Sequence, residues 1–326
     1  VMIQHEDFGN QNAFRLLARY RDRYCMFNDD IQGTAGIALA GIYSALGKIG
    51  GKITDQRLVF LGAGEAALGI GHLAVSAMTE QGLSENDARQ RCWFVDSKGL
   101  VVESRTDLEV QKRAFAQSFP FHRDLLSVIN AVGPTILIGA SGQPKTFTPE
   151  ILEAMARLNE RPVIFALSNP TSQSECSAEE AYRFTQGRAV FASGSPFPPV
   201  NMGNTTFVPG QANNVYIFPG VGLGVTASES TRVTDEMFAA AARSVEEKVT
   251  KEDFDQGRIF PSLSRIREVS LHIAIAVAKI AYARKLTEMT EPDNLPGFIR
   301  SKMYDPVYHS YVAAKKQKRG RTYRKT

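Results

Sequence analysis

Short apolar runs bounded by turn residues alternate with longer helical patterns along most of the 326-residue chain. Such runs are typical of buried strands in a parallel sheet, and their alternation with helices indicates βαβ units. Strands are predicted at residues 57–61, 91–96, 135–139, 162–166 and 188–192. The pattern therefore predicts an α/β fold, a Rossmann-like doubly wound parallel sheet followed by a C-terminal helical segment.

Helical periodicity predicts the elements around these strands. A helix is predicted at residues 10–24, because Phe14, Leu17 and Tyr20 share one side. Ser177 and Glu180 have the spacing of a capping box, which predicts the start of another helix. Further helices are predicted at residues 33–46, 65–81, 234–248 and 262–284, and the prolines at 292 and 296 interrupt the pattern beyond them.

We expect four parts along the chain. Residues 1–32 form a metal-site segment leading into the core, 33–286 an NAD(P)-binding Rossmann-like domain, 287–314 a short C-terminal segment, and 315–326 a basic, disordered tail. The first four residues have the pattern of a strand that ends just before Glu6. We therefore expect the chain to be the later part of a longer protein.

Charge and cysteine usage narrow the class of protein. The tail at 315–326 carries seven Lys or Arg and no acid, so the overall net charge of +4 leaves −3 on the remainder. The body is therefore not expected to bind nucleic acid, although the tail has the charge to touch nucleic acid or an anionic membrane.

Cys25, Cys92 and Cys176 show no CxxC spacing, which favours free thiols in a reducing compartment.

No apolar run approaches the ~18 residues that span a bilayer, and no signal-peptide pattern is present. We therefore expect no membrane association and a cytoplasmic location, with a mitochondrial location as the alternative.

Two acidic pairs stand at predicted strand-to-helix turns. Glu6 and Asp7 precede the first predicted helix, and Asp29 and Asp30 precede the second. Hard divalent cations such as Mg²⁺ or Mn²⁺ prefer oxygen ligands and keep positions open for substrate and water. Glu6, Asp7 and one of Asp29 or Asp30 are the candidate ligands. The alternatives are helix capping by the second pair and helix-dipole stabilisation by the first.

A glycine-rich loop follows the predicted strand at 57–61. Gly62, Ala63, Gly64, Glu65 and Ala66, with Ala67 after them, match GxGxxG/A and open a predicted helix. The first glycine allows the tight turn, the second lets the main chain approach a pyrophosphate, and the small third residue permits close helix packing. The context favours a dinucleotide site over an unliganded turn.

The residues at the end of the second core strand bear on the choice of dinucleotide. Asp96 occupies the position at which an acid accepts the adenosine ribose hydroxyls, and alone it would favour NAD. Ser97 and Lys98 follow it, and Lys112 lies further on. Because a hydroxyl and two cations can neutralise a 2′-phosphate, we expect NADP, with NAD as the alternative. Solvated surface lysines are the other interpretation of Lys98 and Lys112.

Amide-rich turns complete the candidate site. Asn169 follows the strand at 162–166, and Asn213 and Asn214 precede an aromatic segment. Such side chains commonly satisfy the local main chain, and they can also bind a carboxylate at the carboxyl edge of the sheet. The histidines at 5, 72, 122, 272 and 309 have no zinc-ligand spacing.

These motifs together resemble the C-terminal, cofactor-binding part of a malic enzyme. They run in family order across about residues 1–305. The matching stretches are Glu6 to Phe8, Asn12 to Phe14, Phe27 to Ala35, Gly62 to Gly69, Val95 to Leu100, Phe165 to Thr171, Phe191 to Phe197, Pro209 to Asn214 and Phe218 to Gly220.

The resemblance implies oxidative decarboxylation of L-malate to pyruvate and CO₂, with reduction of NADP⁺ or NAD⁺. It implies Glu6, Asp7 and Asp30 as metal ligands, and Asp29 as the group that orients a catalytic lysine. The remaining implied roles are Asn169 and Asn214 for malate, Asn213 for the nicotinamide end, and Lys112 as an NADP-preferring residue. The family also implies a homo-oligomer, a dimer or a tetramer.

In the family, the tyrosine and lysine for acid–base chemistry and a substrate-binding arginine lie upstream of the metal pair. No tyrosine of this chain occupies that motif. We therefore expect the chain by itself to hold the metal and cofactor half of a site. A non-catalytic module binding NADP and metal, and a metal-dependent oxaloacetate decarboxylase, are the alternative functions.

Overall fold

A computed structural model describes residues 1–308, apart from the side chains of Asn10 and Gln11. The predicted basic tail at 315–326 lies outside the described residues. The strands are β1 (Ile3–His5), β2 (Met26–Asn28), β3 (Leu58–Leu61), β4 (Cys92–Asp96), β5 (Gly99–Leu100), β6 (Ile136–Gly139), β7 (Val163–Ala166), β8 (Val190–Ser193), β9 (Val200–Met202), β10 (Thr205–Phe207) and β11 (Gly210–Gln211).

The five helices predicted with bounds, at residues 10–24, 33–46, 65–81, 234–248 and 262–284, agree with the structure to within four residues at each end. The helices of the structure are α1 (Asn10–Tyr20), α2 (Thr34–Ile49), α3 (Glu65–Glu80), α4 (Glu85–Gln90), α5 (Val110–Arg113), α6 (Leu125–Val132), α7 (Pro149–Leu158), α8 (Ala178–Phe184), α9 (Phe218–Ala227), α10 (Asp235–Glu246), α11 (Lys251–Asp255), α12 (Ile266–Ala283) and α13 (Leu295–Lys302). The capping box of Ser177 and Glu180 is confirmed at the start of α8.

The central sheet has seven strands in the order β11-β8-β7-β6-β3-β4-β5. Its neighbours pair in parallel except β4 and β5, which are antiparallel. From β3 the chain adds β4 on one side and β6 on the other, so the strand order reverses at β3. A reversal of this kind opens a crevice at the carboxyl ends of the strands. The predicted doubly wound α/β fold is confirmed.

Alternate residues of the central strands enter two separate cores. Leu58 and Phe60 of β3 belong to a core that also includes residues of α2, α3, α10 and α12. Val59 belongs to a core with residues of α6, α7 and α8. Helices therefore cover both faces of the sheet, which explains why its strands are near-continuous apolar runs.

The segment before the sheet is tied directly to the core. β1 pairs in parallel with β2, and His5 lies opposite Asn28. A π-helical turn at Asp29–Gly33 leads from β2 straight into the buried helix α2. Gly69 of α3 packs closely on this turn, since a Cβ there would lie 2.7 Å from the Ile31 carbonyl oxygen. The acidic segment thus lies against the helix that follows the glycine loop.

Three features differ from the sequence-based expectations. α1 ends at Tyr20 rather than at 24, and α12 begins at Ile266 after a short 3-10 turn rather than at 262. The β9–β10 hairpin was not predicted, because its strands are short and partly exposed and so carry little apolar pattern. Between residues 1 and 308, no helix is long and apolar enough to cross a membrane.

Candidate active site

The glycine loop forms a tight turn between β3 and α3. Gly62 has φ +113°, and a Cβ at this position would lie 2.4 Å from the carbonyl oxygen of Ala140. Only glycine avoids both the backbone strain and that clash. α3 begins at Glu65, directly after the loop, and its first main-chain N–H groups have no partner within the helix. The turn therefore has the geometry of a pyrophosphate-binding site.

A cleft of about 1950 Å³ opens beside this loop, where the carboxyl ends of β3, β4, β6 and β7 meet. Most of the predicted site residues line it. They are Asp7, Asp30, Gly62, Ala63, Gly64, Glu65, Ala66, Asp96, Ser97, Lys112 and Asn169. Glu6, Asp29, Lys98, Asn213 and Asn214 are not among its lining residues.

One member of each acidic pair, Asp7 and Asp30, meets the other at one end of the cleft. The main-chain N–H of Asp7, which has φ 54°, donates to Asp30 Oδ2 at 2.9 Å. The pairs come together because each follows the end of β1 or β2, which lie side by side. Glu6 accepts a hydrogen bond from the Gln4 side chain.

The two structural alternatives for these acids are wrong. Asn28, not Asp29 or Asp30, caps the π-helical turn, since its side chain accepts from the main-chain N–H of Ile31 at 2.9 Å. The first turn of α1 contains no acid, so Glu6 and Asp7 do not stabilise that helix. Neither helix capping nor helix-dipole stabilisation therefore explains where these acids lie.

Asp29 is buried behind the acidic segment. Its Oδ2 accepts from Asn214 Nδ2 at 2.9 Å, while its buried Oδ1 has no hydrogen-bond partner among residues 1–308. Gly33 leaves the room for this carboxylate, because a Cβ there would lie 2.0 Å from Oδ1. Burial, opposed by the Asn214 hydrogen bond and reinforced by the charges of Glu6 and Asp30, raises the pKa of Asp29 to about 7.

Glu65 extends the acidic region into the glycine loop. Burial and the charge of Asp30 raise its pKa to about 7. The neighbouring carboxylates thus repel one another, and a divalent cation would relieve that repulsion. The oxygen donors match Mg²⁺ or Mn²⁺, although no three His, Cys, Asp or Glu side chains in the described part of the chain form a complete metal-binding group.

The opposite end of the cleft is built around Asp96. Arg105 donates from Nη1 to Oδ1 at 2.9 Å and from Nη2 to Oδ2 at 3.1 Å, and the main chain of Lys98 also donates to Oδ1. Burial alone would raise the pKa of Asp96, but these hydrogen bonds and the charges of Arg105 and Lys112 lower it. Lys112 Nζ lies 3.6 Å from Oδ2.

The two predicted lysines differ in environment. Lys98 Nζ pairs with Asp107 at 2.7 Å and is mostly exposed, which agrees with the surface-lysine interpretation. The Lys112 side chain is only 18% exposed and lies in the cleft wall beside Asp96. Of the two, Lys112 is placed to meet a group bound near Asp96.

The three predicted asparagines lie in three different environments. Asn169 lies in the loop after β7 and its exposed side chain lines the cleft. Asn214 contacts Asp29 and Thr34 behind the acidic segment. Asn213 serves the local main chain, because its Oδ1 accepts from the N–H of Val215 at 2.9 Å and caps a 3-10 turn.

Sequence reasoning missed two charged groups at the cleft. Arg105 lies nine residues after Asp96 in an irregular loop, so neither periodicity nor a motif marks it. Glu175 is fully buried beneath the loops that follow β6 and β7. The sequence gives only a partial signal for Glu175. This acid directly precedes Cys176 and the capping box, in a stretch where the pattern predicts burial.

Comparison with known proteins agrees with this geometry. Residues 31–282 match the model of the "Malic enzyme, NAD binding domain" family. The chain is 54% identical over 314 residues to an NADP-dependent malic enzyme of Vitis vinifera, covering 95% of this chain and 53% of that protein. It is 49% identical over 313 residues to the mitochondrial NADP-dependent malic enzyme of Homo sapiens, covering 95% of this chain and 52% of that one.

Among solved structures, the malic enzyme of Entamoeba histolytica matches with a TM-score of 0.75 at 24% identity, covering 92% of this chain and 60% of that one. This likeness concerns the fold. The chain spans about half the length of the curated relatives it matches. The family model begins at residue 31, directly after Asp30, and covers the whole central sheet. The relatives extend the match over nearly the whole chain. This chain therefore belongs to the malic enzyme family.

Proposed function

We propose that the chain forms the metal- and cofactor-binding part of an enzyme that oxidises and decarboxylates L-malate to pyruvate and CO₂ while reducing NADP⁺. One observation carries the proposal. The hydrogen bond from Asp7 to Asp30 joins the acidic segments at the mouth of a cleft that the glycine loop also lines. Carboxylates for a cation and a loop for a dinucleotide thus face one space, as a metal-assisted oxidation of a hydroxy acid requires.

Glu6, Asp7 and Asp30 would hold Mg²⁺ or Mn²⁺. A bound cation would act as a Lewis acid on the hydroxyl and then carbonyl oxygen of the substrate. Asp29 has a different task in this proposal, since its buried Oδ1 has no hydrogen-bond partner among residues 1–308. Asn214 holds its other oxygen, so the carboxylate is fixed in orientation. We propose that Asp29 orients a lysine that acts in proton transfer.

The cofactor is proposed to lie along the carboxyl edge of the sheet. The pyrophosphate would meet Gly62, Ala63 and Gly64 and the start of α3 at Glu65 and Ala66, where main-chain N–H groups favour an anion. The adenosine ribose would lie beside Asp96, Ser97 and Lys112, with Lys98 at the rim. When bound, the nicotinamide supplies the hydride acceptor.

NADP is proposed over NAD for two reasons. Arg105 already occupies both oxygens of Asp96, which reduces the repulsion that this carboxylate would exert on a 2′-phosphate. Lys112 adds a second cation, since its Nζ lies 3.6 Å from Asp96 Oδ2. The relatives described above are named NADP-dependent.

Substrate contacts are proposed for the amide side chains. Asn169 lies in the cleft wall, where it can donate to a malate carboxylate. Asn214, which contacts Asp29, is proposed for a second malate contact, and Asn213 is proposed for the nicotinamide end. We further propose that the complete protein is a dimer or a tetramer. A cytoplasmic and a mitochondrial location both stay open, because the human relative above is named mitochondrial.

The test is a set of three measurements on the full 326-residue chain. They are NADPH formation from L-malate with Mn²⁺, decarboxylation of oxaloacetate with Mn²⁺, and NADP⁺ binding by calorimetry without substrate. D-Malate and omission of Mn²⁺ are the controls. We expect NADP⁺ to bind, and we expect malate-dependent NADPH formation that needs Mn²⁺ once the family's acid–base groups are present.

The outcomes separate the candidate functions. NADP⁺ binding with no chemistry even when the family's acid–base groups are present supports the non-catalytic module. Oxaloacetate decarboxylation without malate oxidation under that same condition supports the decarboxylase. Failure to bind NADP⁺ or NAD⁺ at millimolar concentration overturns the proposal.

A further inference from the structure

Glu175 is a fully buried carboxylate that none of the proposed chemistry uses. Its side chain accepts four hydrogen bonds. Oε1 accepts from the main-chain N–H of Ser141 at 3.1 Å, from Ser141 Oγ at 3.2 Å and from Ser168 Oγ at 2.5 Å, and Oε2 accepts from the main-chain N–H of Ser168 at 3.3 Å. A buried carboxylate is tolerated only where donors surround it, so these contacts fix its position.

The four donors come from two loops that are separate in sequence. Ser141 follows β6 and Ser168 follows β7, and the N–H of Gly142 donates to Ser168 Oγ at 2.9 Å, which ties the loops to each other. The Glu175 main chain joins the same structure by accepting from the N–H of Phe147 at 2.9 Å. Glu175 therefore connects two neighbouring strand ends, which the contact between Gly142 and Ser168 also joins.

The chain makes room for this side chain in a specific way. A Cβ at residue 139, the last of β6, would lie 2.5 Å from the Cδ of Glu175, so Gly139 leaves the space the carboxylate fills. The carboxylate sits beneath the loops instead of in the cleft. It can therefore act on a bound ligand only through the loops.

Both loops line the cleft on the side away from Asp96. Ser141, Gly142 and Gln143 belong to one wall, and Leu167, Ser168 and Asn169 belong to the next. In the sheet, β6 and β7 lie on the opposite side of β3 from β4, which ends at Asp96. With the adenosine end at Asp96 and the pyrophosphate at Gly62, the other half of the dinucleotide extends over these two loops.

We propose that Glu175 is a positioning residue that fixes the loops at 140–143 and 167–169 against the nicotinamide half of the cofactor and the adjoining substrate position. This inference rests on the proposed function for the identity of the ligand. The loop-fixing part stands on the four hydrogen bonds alone and can be tested without any ligand.

The first experiment compares Glu175→Gln with Glu179→Gln, a matched control that removes the same charge from an exposed position on α8. A glutamine amide nitrogen facing an N–H donor loses at least one of the four hydrogen bonds. Hydrogen exchange of the ligand-free protein directly reports the N–H groups of Ser141, Gly142 and Ser168. We expect exchange at these amides to accelerate by about tenfold or more in Glu175→Gln, with the amides of α3 and the control unchanged.

The second experiment measures dissociation constants for NADP⁺ and for 2′,5′-ADP, which lacks the nicotinamide half. We expect Glu175→Gln to weaken NADP⁺ binding by about tenfold and to leave 2′,5′-ADP binding within about twofold of wild type. Equal loss of both ligands, or no change in either exchange or NADP⁺ binding, overturns the positioning role. If the wild-type protein binds neither ligand, the proposed function fails, and the exchange experiment still decides the loop-fixing part.

Ser168→Ala provides a second variant should Glu175→Gln fail to fold. It removes the Ser168 hydroxyl as donor to Glu175 and as acceptor for the Gly142 N–H, but leaves the carboxylate its other three donors. We expect faster exchange at Gly142 and a smaller loss of NADP⁺ affinity, again without change for 2′,5′-ADP. Unaltered exchange at Gly142 in this variant contradicts the proposal.

Discussion

Arg105 holds both carboxylate oxygens of Asp96, with Nη1–Oδ1 and Nη2–Oδ2 distances of 2.9 and 3.1 Å. The two side chains are only 9% and 10% exposed, so the pair is poorly screened by solvent. An acid at this strand end ordinarily repels a 2′-phosphate. Here a bidentate arginine, which also donates to Asp107 at 3.1 Å, offsets part of that charge in a fixed geometry.

Replacing Arg105 by glutamine should therefore weaken NADP⁺ binding more than NAD⁺ binding. The substitution leaves Lys112 as the remaining side-chain cation beside the Asp96 carboxylate within residues 1–308. We expect the dissociation constant for NADP⁺ to rise about tenfold or more, and that for NAD⁺ to change by less than about threefold.

Calorimetric titration of the two dinucleotides gives both constants. Arg123→Gln, at an exposed position, is the control for loss of one positive charge. Parallel weakening of NADP⁺ and NAD⁺ in the Arg105 variant would show that the arginine supports the loop and does not discriminate at the 2′-position.

Asn214 and Asp29 should be coupled in stability. Asn214→Ala removes the donor at 2.9 Å and leaves both oxygens of a buried carboxylate without a side-chain partner within the described chain. The free energy of unfolding should fall by about 1–3 kcal/mol. Because Asp29→Asn changes the other member of the same contact, the double variant should be non-additive by about 0.5–3 kcal/mol.

Urea unfolding of the two single variants and the double variant measures this coupling. The exposed Asn201→Ala is the control, and its effect should stay within about 0.5 kcal/mol. Additive single effects would mean that the Asn214–Asp29 hydrogen bond contributes little to the folded state.

The sequence predicted the features of this molecule that depend on local rules. The strands of the sheet are buried on both faces, so each appears as an apolar run, and β3, β6 and β7 were placed to within one residue. Gly62 was predicted because a tight strand-to-helix turn needs a residue that tolerates positive φ. The acidic segments came from residue type and spacing alone.

The remainder depends on tertiary contacts that no local pattern reports. Asn28 takes the cap position in place of its acidic neighbours because the β1–β2 pairing sets where the turn begins. Arg105 reaches Asp96 across an irregular loop, and Glu175 meets Ser141 only when two strands lie side by side. The Asn213 side chain caps a 3-10 turn, a contact set by the local backbone that the sequence did not predict.

Asp30→Ala should reduce the affinity for Mn²⁺. Asp30 Oδ2 is the acceptor that draws Asp7 to the cleft, so its loss removes one candidate ligand and the contact that places another. Titration of Mn²⁺ by electron paramagnetic resonance, without substrate, should give a dissociation constant raised by about tenfold or more.

Asp55→Ala is the matched control, because Asp55 is exposed in a 3-10 turn that does not line the cleft. Unchanged Mn²⁺ affinity in Asp30→Ala would remove Asp30 from the ligand set. A comparable loss in the Asp55 variant would indicate nonspecific binding to surface acids.

Gly62→Ala should abolish dinucleotide binding and destabilise the fold more than Gly82→Ala. Both glycines have positive φ, +113° and +100°, so the backbone penalty of about 1–3 kcal/mol applies to each. A Cβ at Gly82 meets no atom within 4 Å, whereas a Cβ at Gly62 lies 2.4 Å from the Ala140 carbonyl oxygen. Relieving that clash requires the ends of β3 and β6 to separate, which adds about 1–3 kcal/mol.

Urea unfolding and NADP⁺ titration of the two variants separate the strain from the clash. Gly82→Ala should bind NADP⁺ as wild type does, because α3 ends before this residue and the cleft does not include it. Gly62→Ala should lose binding even where it is folded, since the turn must move away from the pyrophosphate position. Wild-type affinity in a folded Gly62→Ala protein would place the dinucleotide elsewhere, because the main chain of this turn could then not be its binding site.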